Sequence, residues 1–90
     1  MRVALICTDK PGALQIRMDA RTAHLAYIEQ TGVVEMAGPF LGTDGAMTGS
    51  LIVLSVDSLQ AAQHWAAGDP YALAGLFADV SIREWKKVIG

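Results

Sequence analysis

Two short runs decide most of what this chain can become. Val3-Ala4-Leu5-Ile6 and Leu51-Ile52-Val53-Leu54 are apolar at every position. Successive side chains on a strand point to opposite faces, so strands of this kind need cover on both sides of their sheet. A chain of 90 residues can build one core but not two, and residues 1–90 are expected to form a single domain. Helices can cover one face of so small a sheet. With 52% of the residues apolar, enough apolar surface remains for a second copy of the chain to cover the other.

The punctuation between the runs gives the order of the elements. A first strand over Val3–Thr8 stops at Asp9-Lys10-Pro11-Gly12. From Ala13 to about Gln30, Leu14, Met18, Leu25 and Ile28 fall on one stripe at about 100° per residue, and Gly32 is placed to end the helix. Two extended runs follow, Val33–Phe40 and Met47–Val56, joined through Asp44-Gly45, a strong hairpin signal. Ser58 is a natural N-cap for a second helix that turns Leu59, Ala62, Trp65 and Ala66 inward and ends at Gly68-Asp69-Pro70, with a short helical turn through Leu76 beyond it. Asp79–Val88 reads as the last strand, Val80 and Ile82 inward with Trp85 as a third candidate. The order βαββαβ with right-handed crossovers predicts an α+β, ferredoxin-like domain: a four-stranded antiparallel sheet with both helices on one face.

Composition removes several classes of function. A formal net charge of -2, with seven Lys and Arg residues scattered along the chain, leaves no basic stripe for a phosphate backbone. Leu51–Leu54 also supplies aliphatic groups where an RNA-binding βαββαβ sheet would present aromatics. The single Cys7 permits no internal disulfide and no Cys-rich metal cluster, and on an apolar strand it reads as an inert core thiol. His64 shares the polar side of its helix with Gln60, so no metal ligand set is expected. The loosely spaced Gly42, Gly45 and Gly49 lack the Gly-Lys-Ser/Thr ending of a phosphate loop. The apolar run after Arg2 is too short for a secretory segment and none is long enough for a membrane span, so a cytoplasmic protein without membrane contact is expected.

Polar residues that interrupt the apolar pattern mark the candidate site. Arg21 falls within the first helix's apolar stripe, flanked by Arg17 and His24. Buried, these groups need an acceptor; alternatively both arginines snorkel to water and His24 caps a carbonyl. Asp69, between Gly68 and Pro70, suits an N-cap with Pro70 at the first helical position, and a capping Asp can still turn an oxygen into a pocket. Gly49-Ser50 opens the third strand where a backbone or a ligand can come close, and Ser50 could offer it a hydroxyl.

Taken in order, Asp-Lys-Pro-Gly, the R-x-x-x-R-x-x-H-L of Arg17 to Leu25, Ala37-Gly38-Pro39, Gly49-Ser50 and Asp69-Pro70-Tyr71 resemble the YciI-like family over nearly the whole chain. The resemblance implies a homodimer in which two ferredoxin-like sheets form an α+β barrel, and larger assemblies of such dimers are open. It also implies a pocket between sheet and helices that holds a His and Asp pair, here His24 and Asp69. One relative of this type is a dehydrochlorinase of a chlorinated aromatic, while most members have no assigned reaction.

Two functions are therefore expected. In the first, a lyase or dehydrohalogenase, His24 takes a proton from a small aromatic or anionic substrate and Asp69 fixes its tautomer. Arg17 or Arg21 would hold an anionic oxygen and Ser50 or Tyr71 would donate to developing charge, with no metal or organic cofactor required. In the second, the same fold is a non-catalytic module for small-ligand binding or dimerisation.

Overall fold

The computed structural model describes residues 1–90. It consists of β1 (Arg2–Asp9), α1 (Leu14–Thr31), β2 (Val34–Leu41), β3 (Met47–Ser55), α2 (Leu59–Gly68), α3 (Pro70–Leu73) and β4 (Phe77–Trp85). The strands form one sheet in the order β2-β3-β1-β4, antiparallel at every pairing. This is the ferredoxin-like α+β arrangement expected from the element order. No helix is long and apolar enough to cross a membrane.

The helix boundaries have local causes. Gly32 takes φ 68° and its N–H reaches the Ile28 carbonyl, ending α1 in the left-handed conformation that glycine adopts without strain. Ser58 accepts from the Ala61 N–H and starts α2, and Asp69 accepts from the Tyr71 N–H and starts α3, with Pro70 where no N–H is needed. Gly49 is required by the pairing of β1 and β3, because a Cβ there would overlap the Cys7 carbonyl. The close approach foreseen at Gly49 is thus made by a backbone.

The helix-covered face of the sheet is the core. Val3, Leu5 and Cys7 alternate along β1 and pack with Ile52 and Leu54 of β3 and Ala62 and Trp65 of α2. Val3, Leu5, Ile52, Leu54 and Leu76 are sealed from solvent, and each such side chain contributes about 1.5–3 kcal/mol relative to exposure.

Three inward assignments are corrected. The buried line of α1 is Ala13, Arg17 and His24, with Ala20, Tyr27 and Ile28 partly buried beside it, while Leu14, Met18, Leu25 and Arg21 are exposed. The helix is rotated from the apolar stripe because carboxylates on neighbouring elements compensate the two buried polar groups. Leu59, the first residue of α2 beside the capping Ser58, is exposed. β4 runs from Phe77 to Trp85, earlier than expected at both ends, and Trp85 pairs with Arg2 on the face opposite Val80 and Ile82.

That opposite face carries no helix. Its registers align Ala4 with Val53 and Ile6 with Leu51, and Met36, Gly38 and Phe40 continue the apolar strip across β2. Ile6, Met36, Phe40 and Trp85 are exposed there.

Candidate functional site

The site lies between α1 and the β2–β3 side of the sheet, beneath the start of α3. A cavity of about 150 Å³ opens there to the surface, a volume in which one six-membered ring fits. Leu25, Ile28, Ala37, Pro39, Met47 and Ile52 give it apolar walls, and Arg17, Arg21, His24, Ser50 and Tyr71 bring polar groups to it.

His24 and Asp69 are far apart in sequence and meet because the α2–α3 junction crosses α1. His24 Nδ1 lies 2.7 Å from Asp69 Oδ1, with both side chains buried. A carboxylate only accepts, so Nδ1 carries a proton, and in the neutral ring it is Nε2 that keeps the lone pair. Nε2 makes no hydrogen bond within the chain and is not sealed off, so its lone pair is open to the cavity. The same Asp69 Oδ1 accepts from the Tyr71 N–H at 3.0 Å. Capping α3 and partnering His24 are both done by this one atom.

Tyr71 stacks on the imidazole with ring centroids 3.9 Å apart and 15° between planes. Its other neighbour is Arg17, whose Cζ sits 4.8 Å from the ring centroid, within cation–π range. Burial pushes the Tyr71 hydroxyl above its ordinary value and outweighs Arg17 and Arg21, which pull it down. The phenol therefore remains a donor at neutral pH.

Arg17 does not snorkel. It is 2% exposed and holds Asp9 with two parallel bonds, Nε to Oδ2 and Nη2 to Oδ1, both 2.8 Å. Burial alone would lower its pKa, but the bond to Asp9 and that carboxylate's charge prevail and raise it. Nη2 also donates to Ser50 Oγ at 2.9 Å. Ser50 is 3% exposed and its hydroxyl makes no other hydrogen bond, so its own proton is free for a cavity occupant. Arg21 lines the cavity from its exposed side and has no carboxylate partner.

The six candidate residues thus all meet at one place, and Asp9 joins them unannounced. Sequence reading took Asp9 as part of a turn signal. The available clue was a carboxylate at the end of a strand that runs beneath the helix carrying Arg17. Cys7, paired with Ser50 in the sheet, is buried, and desolvation with the nearby Asp69 carboxylate pushes its thiol up to about 12. An inert thiol is the result. No group of three or more His, Cys, Asp or Glu side chains is arranged to hold a metal ion.

Fold and site together define a ferredoxin-like α+β protein with a histidine–carboxylate pair at the mouth of a ring-sized cavity. Residues 1–86 match the YCII-related domain model, and the chain belongs to that family. It is 36% identical to protein YciI of Escherichia coli O6:H1, covering 98% of this chain and 99% of the relative. A Haemophilus influenzae protein is equally similar over the same shares. Among solved structures, 5-chloro-2-hydroxyhydroquinone dehydrochlorinase from Burkholderia phenoliruptrix AC1100, in complex with 2,5-dihydroxybenzoquinone, superimposes with a TM-score of 0.88 at 36% identity, covering 96% of this chain and 94% of that one. An antibiotic biosynthesis monooxygenase at 12% identity and TM-score 0.61 shares the fold.

Proposed function

We propose that this protein is a cofactor-independent enzyme of the lyase or dehydrohalogenase class, acting on a small hydroxylated ring. The observation that carries the reading is the 2.7 Å contact of His24 Nδ1 with Asp69, which leaves Nε2 as a base at an open cavity. The similar dehydrochlorinase of a chlorinated hydroxyhydroquinone, solved with a hydroxylated quinone, supplies the substrate class.

In this scheme His24 Nε2 takes a proton from a ring hydroxyl, and Asp69 stabilises the imidazolium that forms. The oxygen's electron pair enters the ring, and His24 returns the proton to the chlorine-bearing carbon, giving a keto tautomer. A second hydroxyl then loses its proton and chloride departs, leaving a quinone. The balance is loss of HCl, and no outside oxidant is needed. Ser50 and Tyr71 donate to oxygens that gain charge, and Arg21 attracts an anionic substrate.

The test is chloride release and quinone absorbance with 5-chloro-2-hydroxyhydroquinone as substrate. Turnover that falls about 10²–10⁴-fold in His24→Asn is expected. No turnover by the wild-type protein, or unchanged turnover in the variant, refutes the reading.

A non-catalytic role has one observation in its favour: Arg21 at the rim is a cation without an internal partner, enough to hold a small anion without chemistry. Saturable binding of 2,5-dihydroxybenzoquinone without turnover of the chlorinated compound would select it.

The active form we propose is a homodimer in the cytoplasm. Ile6, Met36, Phe40 and Trp85 lie exposed on the helix-free face, and a second copy that presents the same face buries them.

A further inference from the structure

The proposed chemistry leaves one buried arrangement without a task. Asp9 and Arg17 are joined by two bonds of 2.8 Å, with side chains 7% and 3% exposed. Taking two charges out of water is expensive, and apolar residues of similar volume generally stabilise a core as well or better. The pair's one further hydrogen bond runs from Arg17 Nη2 to Ser50 Oγ, at the cavity wall.

A buried guanidinium without Asp9 would present a full positive charge beside any bound ring. It would hold a ligand oxygen as its anion, although the reaction requires that oxygen to pass its charge into the ring. With Asp9 in place the pair is neutral, and Arg17 acts on the cavity through the oxygen of Ser50.

We infer that Asp9 is a positioning residue that cancels the Arg17 charge and fixes its guanidinium on Ser50, so that a hydroxyl, and not a bare cation, meets the phenolic or enolic oxygen of the ligand. Because Ser50 Oγ accepts from Arg17, its own proton is committed to the cavity, polarised by the bond behind it. The inference rests on the cavity binding a hydroxylated ring, as proposed above. The other titratable groups around the bound oxygen are Arg21 and His24 on α1, Tyr71 on α3 with Asp69 behind it, and Cys7 on β1 beside Ser50.

The probe is 4-nitrophenol, whose visible absorbance reports its ionisation. Titrated against pH in complex with the wild-type protein and variants, it gives the pH at which the bound phenol ionises. Ser50→Ala removes a donor to the phenolate, and the midpoint rises by about one pH unit, the difference between a charged and a neutral hydrogen bond. Asp9→Asn uncovers the Arg17 charge, and the midpoint falls below that of the wild-type protein. The double variant Asp9→Asn with Arg17→Gln exchanges a neutral pair for a neutral pair, stays near the wild-type midpoint, and serves where Asp9→Asn alone does not fold.

A purely structural role would weaken binding without moving these midpoints in opposite directions. Absence of saturable 4-nitrophenol binding to the wild-type protein, an unmoved Ser50→Ala midpoint, a rise in Asp9→Asn, or a double variant displaced by a unit overturns the inference. The expected midpoints without dehydrohalogenation would sink the reaction and leave this inference standing. Dehydrohalogenation with unmoved midpoints would do the reverse.

Discussion

His24 and Tyr71 lie nearly parallel, with ring centroids 3.9 Å apart, so the plane of the imidazole is set by a neighbour that takes no hydrogen bond from it. Asp69 fixes which nitrogen is protonated and Tyr71 fixes where the other one points. Tyr71→Phe keeps the stack and removes the hydroxyl, whereas Tyr71→Ala removes both. Because the hydroxyl also donates to developing charge, Tyr71→Phe is expected to lose part of the turnover of the chlorinated substrate, and Tyr71→Ala, which loses the stack as well, about 10²-fold more. Equal losses in the two variants would assign the role to the hydroxyl instead.

Asp69→Asn keeps a side chain that caps helices well, so α3 is expected to form. The amide can turn an N–H toward His24, which favours the proton on Nε2 and removes the free lone pair. Nitrogen-15 NMR of the ring is expected to show the Nδ1–H tautomer in the wild-type protein and its loss in the variant, with a fall in kcat toward about 10⁴-fold. An unchanged tautomer would argue against the pair.

The raised Cys7 thiol predicts an alkaline weakness. Below pH 9.0 the thiol holds its proton folded or unfolded; between 9.0 and about 12 only the unfolded chain releases it. Native stability therefore falls as pH rises through that window, by up to about 1.4 kcal/mol per pH unit from this group. Denaturant melts between pH 9 and 10 should show a flatter decline for Cys7→Ala. Iodoacetamide at pH 8.5 should label the native thiol slowly and the unfolded one fast.

Two glycines should differ in cost. A Cβ at Gly49 meets the Cys7 carbonyl, part of the backbone of β1, so Gly49→Ala must separate β1 from β3 and is expected to lose about 1–3 kcal/mol or more. At Gly68 a Cβ meets the Tyr27 hydroxyl at 2.7 Å, the end of a side chain bonded to the Trp65 carbonyl. Gly68→Ala should lose nearer 1 kcal/mol, the value of that hydrogen bond. Thermal melts that rank them the other way would show that the sheet yields more easily than the helix contact.

The helix-free face predicts assembly. Light scattering should give a mass twice the 9.6 kDa of the chain, and Ile6→Asp, which places a charge mid-face, should reduce it to one. A wild-type monomer would rule out the dimer.

The strand and helix order was legible because its signals are local: Gly32, Asp44-Gly45, Ser58 and Asp69-Pro70 each act within a turn. The rotation of α1 was not. Leu14, Met18 and Leu25 form a convincing apolar stripe, yet Arg17 and His24 face inward because Asp9 and Asp69 receive them there. Burial of a polar group depends on a partner that periodicity along one helix does not contain. Asp9 was hidden for the same reason, since an acid before Lys-Pro-Gly reads locally as a turn former. Arg21 and His24 were legible because they interrupt an apolar pattern, and Asp69 because its place between Gly68 and Pro70 marks a cap, while the pairing of His24 with Asp69 came through the family resemblance.

The double duty of Asp69 Oδ1 has a consequence for reading related sequences. One oxygen serves both the imidazole and the first turn of α3, so a relative without the proposed reaction still gains from an aspartate here as a helix starter. His24, whose imidazole has no such second use in the backbone, is the residue whose replacement would mark a scaffold without the proposed chemistry.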